Sequence, residues 1–139
     1  MVAGAAQGVG LGHAFLRHVE RCHVILHLVD ATSINAAEDF AMLNRELEQY
    51  GTGQLANKPQ VVVVTKIDAF EEGNEEDSEK GLQLKQSREE LKGQMEEAMQ
   101  HSRLMWVSAK EKEGVEELMA RMAKYLVSVK ETQENQVVR

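Results

Sequence analysis

The sequence predicts an α/β protein built on a parallel sheet, and three observations carry that expectation. Short apolar runs recur at His23–Val29, Val61–Val64 and Leu104–Val107, each shorter than an ordinary helix and two of them rich in β-branched residues. Longer stretches with helical spacing separate them, an alternation that implies right-handed crossovers and parallel pairing. Each run ends in a polar cluster: Asp30, then Thr65-Lys66-Ile67-Asp68, then Ser108-Ala109-Lys110. The carboxyl ends of parallel strands are where such sheets bind ligands.

Taken in order, the first ten residues are small and glycine-rich, with Gly4, Gly8 and Gly10. From Leu11 to Arg21 a helix is expected, with Leu11, Phe15 and Val19 on one face. The first strand, 23–29, ends at Asp30. Ala36 to Tyr50 reads as a helix carrying Phe40, Leu43, Leu47 and Tyr50, stopped by Gly51-Thr52-Gly53. Pro59 marks the entry to the second strand, 60–65, where a missing N–H is tolerated. Asp68 to Lys80 changes character. Its acidic run Glu71-Glu72-Gly73-Asn74-Glu75-Glu76-Asp77 reads as a solvated loop and lacks the spacing of a calcium loop. A helix returns from Ser87 to His101 with Leu91, Met95 and Met99 inward, then the third strand at 104–107. The last helix is expected from Val115 to Val129, with Val115, Leu118, Met119, Met122 and Leu126 inward. Residues 1–130 form the expected domain, and 131–139 a polar, frayed tail.

The chain has 139 residues, enough for one domain, with 42% apolar and 28% charged side chains. A net charge of −7 with no compact basic patch argues against direct DNA binding. One cysteine, Cys22, precludes an internal disulfide and fits a reducing compartment. No apolar stretch approaches the ~20 residues of a membrane span. The first nineteen residues carry Arg17 and no acid, a transit-peptide-like composition, but glycines interrupt the amphipathic pattern. The expected location is cytoplasmic or organellar, in a mitochondrion or plastid, and not secreted.

The polar clusters after the second and third runs suit recognition of guanine. That base presents two donors, N1–H and the exocyclic amino group, beside one acceptor, O6. A carboxylate can accept both donors at once, which makes Asp68 the natural reader. Adenine has no N1–H and leaves such a carboxylate unsatisfied. Lys66 can lay its methylene stem along one face of the base with its ammonium in water. Ala109 offers a backbone N–H to O6 and a side chain small enough for close approach. Ser108 can orient Asp68, and Lys110 can cover the other face.

Thr65-Lys66-Ile67-Asp68 and Ser108-Ala109-Lys110 resemble the Asn/Thr-Lys-x-Asp and Ser-Ala-Lys base-recognition motifs of the Ras-like P-loop GTPases. Thr65 stands where Asn is commoner, with fewer bonds available for bracing. Gly8-Val9-Gly10-Leu11-Gly12-His13-Ala14-Phe15-Leu16-Arg17-His18 resembles the stretch that follows the second switch in Obg-type GTPases. Val29-Asp30 and Asn44-x-Glu46-Leu47-x-x-Tyr50 are similar to that family too, so the resemblance runs from about Val2 to Leu126. It implies a partial Ras-like P-loop fold, with three parallel strands side by side and the first half of the sheet outside this sequence. It also implies GTP or GDP as ligand, magnesium only in the complete family domain, and a role in ribosome assembly with a ribosomal subunit as partner.

No Gly-x-x-x-x-Gly-Lys-Ser/Thr and no Asp-x-x-Gly occurs in the sequence. Phosphoryl transfer depends on such a loop, its lysine and magnesium. No residue is therefore given a catalytic or metal-binding role, and the chain reads as the carboxyl-terminal half of a G domain. The alternative is a non-catalytic α/β interaction module, or a truncated product without nucleotide binding. On the half-domain reading, strand 23–29 is expected to form an apolar edge prone to association, and helix 11–21 to dock poorly. His13, His18, His23 and His27 lack zinc spacing, His23 and His27 sharing a strand face but lying far apart along it. The Met95/Met99 and Met119/Met122 pairs read as core filler.

Overall fold

A computed structural model describes residues 12–73 and 87–137. The glycine-rich stretch through Gly10 and the acidic residues from Asn74 to Asp77 lie outside them. Three parallel strands, β1 (Ile25–Asp30), β2 (Gln60–Thr65) and β3 (Leu104–Trp106), stand in the order β1-β2-β3. Register places Asp30 beside Thr65 and Val64 beside Trp106, so all three polar clusters reach the same end of the sheet.

Helices cover both faces. α2 (Ala36–Gln49) and α4 (Arg88–Ala98) lie over the face formed by Val29, Val62 and Val64, where Phe40, Leu91 and Met95 complete a buried core. α5 (Val115–Val137) lies over the other face, packing Leu118, Met122 and Tyr125 on Val61, Val63 and Met105. β2, covered on both sides, is buried from Gln60 to Val64, which is why its sequence is four valines without alternation. α4 starts where the chain chemistry dictates. Ser87 Oγ accepts from Glu90 N–H at 3.2 Å, and Glu90 accepts from Ser87 N–H at 2.9 Å, a reciprocal capping box.

α1 (Gly12–Glu20) docks, contrary to expectation. Leu16 is fully buried among Leu47, Tyr50 and Leu55, with Val19 and Ile25 alongside. The inward residue is Leu16, not Phe15, because the helix meets α2, a 3-10 turn (Gln54–Asn57) and the start of β1 at Ile25 rather than lying over a sheet face. The Tyr50 hydroxyl is raised in pKa by burial and by Glu20, with Arg17 opposing, so Tyr50 joins α1 through polar as well as apolar contact. Two further short elements have no counterpart among those expected. The 3-10 turn buries Leu55, and α3 (Ile67–Gly73) buries Ile67 and Phe70, apolar anchors too few for a periodic signal.

The last helix continues to Val137, so the polar residues from Glu131 are its final turns. No Gly or Pro interrupts them, and Gln133 Oε1 pairs with His23 Nδ1 at 2.8 Å. Met119 is exposed rather than inward, since the face touching the sheet is centred on Leu118, Met122 and Tyr125. His23 precedes β1 and shares no strand face with His27. β1 buries His27 and Val29 and leaves Leu26 and Leu28 exposed on the side facing α5. Among the described residues no helix is long and apolar enough to cross a membrane.

Candidate functional site

β2 ends at Thr65 and the chain turns at once into α3, a change of direction made by Lys66 at φ 59°. That left-handed backbone is uncommon for a side chain with a Cβ and is held by its surroundings. The Lys66 carbonyl accepts from Phe70 N–H at 3.1 Å, and Ile67 N–H donates to Val107 O at 3.4 Å. These bonds put Asp68 in the first turn of α3, beside the end of β3.

The loop after β3 is equally constrained. Ser108 and Glu113 exchange two backbone hydrogen bonds, each 3.0 Å, closing a tight turn over Ala109–Lys112. Gly114, at φ 74°, then starts α5; a Cβ there would lie 2.5 Å from the Trp106 carbonyl oxygen, so glycine is required. Ser108 is fully buried. Its hydroxyl donates to Asp68 Oδ1 at 2.8 Å and accepts from Glu111 N–H at 3.1 Å.

Asp68 is an acceptor prepared in advance. The Ser108 hydroxyl holds its carboxyl below the usual range against partial desolvation, helped by the N–H groups of Ala69 and Asp68 and the charge of Lys110. It is ionised at neutral pH with Oδ1 oriented. Ala109 and Lys110 are exposed beside it, and among the described residues the Ala109 N–H has no partner.

Thr65 and Lys66 face the other way, toward β1. Thr65 Oγ1 donates to Val29 O at 3.2 Å, tying the strand ends together. Lys66 Nζ lies 2.7 Å from Asp30 Oδ2, which raises the lysine's pKa. Asp30 is in turn held through Oδ1 by Thr32, from N–H at 2.9 Å and Oγ1 at 2.6 Å. Burial works to raise the Asp30 pKa, but Lys66 and Thr32 outweigh it and lower it. The structure thus brings Asp68, Ser108, Ala109 and Lys110 into one group and Thr65 and Lys66 into a second beside it, joined at Lys66-Ile67-Asp68. Sequence reasoning placed Asp30 at a strand end but not in the site. The available signal was an acid at the carboxyl end of the strand neighbouring β2.

No family model matches the chain. Curated relatives do. A protein named GTPase Obg from Crocosphaera subtropica is 39% identical over 119 residues, 86% of this chain. Proteins of the same name from Synechococcus and Acaryochloris marina are 54% identical over 71 residues and 45% identical over 93, covering 51% and 67% of the chain. Over the matched part the chain is similar to the Obg-type GTPases. It spans 30%, 18% and 25% of the length of these three Obg relatives. The α/β architecture with its three-stranded parallel sheet is the fold class expected from the Obg-type sequence and is consistent with part of a Ras-like P-loop fold. Obg resemblance at Leu47 and Tyr50 has a packing basis, since both residues form the seat of α1.

Proposed function

We propose that this chain is the base-recognition portion of an Obg-type GTPase, binding the guanine of GTP or GDP through Asp68, Ser108, Ala109, Lys110, Lys66 and Thr65. The observation that carries the reading is the Ser108–Asp68 hydrogen bond, which orients an ionised carboxylate beside the Ala109 N–H, a donor with no partner among the described residues. Asp68 accepts from N1–H and the exocyclic amino group, Ala109 donates to O6, and the Lys66 stem covers one face of the base. Thr65 fixes the strand end from which Lys66 departs. The role in ribosome assembly, with a ribosomal subunit as partner, enters through the family.

Hydrolysis is not assigned to these residues. Among the described residues no three His, Cys, Asp or Glu side chains gather into a group that could hold a metal ion. The base contacts amount to about three or four hydrogen bonds of ~0.5–3 kcal/mol each, against an association cost of ~4–15 kcal/mol. Binding by this chain is accordingly weak, with a dissociation constant of about 1 mM or above. The test is an amide NMR titration of the 139-residue chain with GMP and with AMP. Saturable shifts at Asp68 and Ala109 are expected with GMP alone. Equal response to both nucleotides, or none to either, removes the guanine reading and leaves an α/β interaction module.

A further inference from the structure

Lys66, like Thr65, leans away from Asp68 toward β1, and the partner of its ammonium explains why. Its ammonium sits 2.7 Å from Asp30 Oδ2 across the junction of β1 and β2. Exposed ion pairs between two freely moving side chains contribute little, because both must be ordered. This one differs on both sides. Asp30 is already fixed, its Oδ1 occupied twice by Thr32 so that Oδ2 alone is presented. Lys66 departs from a backbone held at φ 59°, within a turn pinned by Phe70 N–H and Ile67 N–H. The lysine is therefore fastened at its root and at its tip, with the methylene stem stretched between them.

We infer that Asp30 is a positioning residue for guanine binding: it anchors the Lys66 ammonium so that the stem is laid out as a preformed platform for one face of the base. The inference rests on the guanine reading and adds a residue that does not touch the nucleotide. A free lysine loses rotamer freedom when a base lands on it; an anchored one has lost it beforehand, so the ordering cost on binding falls. Asp30 acts only through Lys66. It leaves base identity to Asp68, so its loss weakens guanine and xanthine nucleotides alike.

The experiment is the same GMP titration on the full chain, with Asp30→Asn, Lys66→Met and the double variant. Asparagine keeps the volume and one oxygen for Thr32, but turns an NH₂ group toward the ammonium, which releases Lys66. Asp30→Asn is expected to raise the GMP dissociation constant about three- to ten-fold, the range for one immobilised side chain. The preference for GMP over XMP is expected to stay the same, and the Lys66 Cε and Nζ shifts to revert to those of a free lysine. In the Lys66→Met background, Asp30→Asn is expected to add nothing, which a general structural effect of Asp30 does not reproduce. Wild-type binding with unchanged affinity in Asp30→Asn, or fully additive effects with Lys66→Met, overturns the positioning role and leaves the guanine reading standing. No GMP response in the wild type overturns both.

Discussion

Ser108 Oγ and Asp68 Oδ1 meet at 2.8 Å across forty residues of chain, joining the loop after β3 to the first turn of α3. Ser108 is fully buried and its oxygen also receives Glu111 N–H, so one hydroxyl serves the acid and the loop together. Ser108→Ala should therefore destabilise the fold by about 1–3 kcal/mol, since two hydrogen bonds worth ~0.5–1.5 kcal/mol each are lost. It should also move the Asp68 pKa back up, because the largest influence holding it down is gone. Urea unfolding and carbon-detected titration of Asp68 measure the two effects. An unchanged Asp68 titration would show that the bond does not form in solution.

Asp68→Asn should exchange base preference rather than abolish binding. The amide offers one oxygen and one NH₂, so it cannot accept both guanine donors, but its NH₂ can donate to the carbonyl that xanthine carries instead of the amino group. GMP binding should fall about ten-fold and XMP should become the better ligand, an effect read in the same NMR titration. Parallel loss of both would mean that Asp68 supports the loop without reading the base.

Gly114→Ala should be severely destabilising. The new Cβ would lie 2.5 Å from a backbone oxygen that cannot swing aside, and the residue would carry φ 74°. Together these should cost more than about 2 kcal/mol. Thermal unfolding tests this, with Gly51→Ala as control, because that glycine shares a positive φ but has open space around it.

His27 sets a pH dependence. It is 4% exposed, stacked on Phe40 at 4.6 Å, and its Nδ1 has no partner among the described residues. Burial depresses its pKa from 6.5 to about 4, with Gln60 opposing. Between those values the unfolded chain binds the proton and the folded chain does not, so folding stability rises with pH through that window. The contribution is fully present above pH 6.5. It is lost as pH falls toward 4, amounting to at most about 3 kcal/mol. His27→Leu should flatten this slope in urea titrations at a series of pH values. A slope that persists unchanged would place its origin elsewhere.

Leu28 and Ile25 lie on the same strand and should respond oppositely to lysine. Leu28 is 58% exposed, whereas Ile25 packs against the cluster of Leu16, Leu47, Tyr50 and Leu55. Leu28→Lys should raise solubility with little change in unfolding free energy, since a charge on an exposed apolar strand discourages pairing. Ile25→Lys should unseat α1 and lower stability. Sedimentation at rising concentration and denaturant melts separate the two outcomes.

The three strands were legible because β-branched apolar runs of that length have few alternatives, and their parallel order followed from the helices between them. The pair Lys66 and Asp68 was legible as chemistry because it follows a strand end directly. Ser108 was legible as its partner only through motif, since nothing local to residue 108 reports what lies forty positions earlier. Other features were settled only by packing. α3 and the 3-10 turn are too short for periodicity to show, and buried Phe70 and Leu55 hold them in place. α1 looked unsupported because its partners, Tyr50 and Leu55, are distant in sequence. The anchoring of Lys66 by Asp30 depends on the register of β1 against β2, which puts Asp30 beside Thr65. A sequence states which groups can pair; only the sheet, by fixing which strand ends are neighbours, decides which of them do.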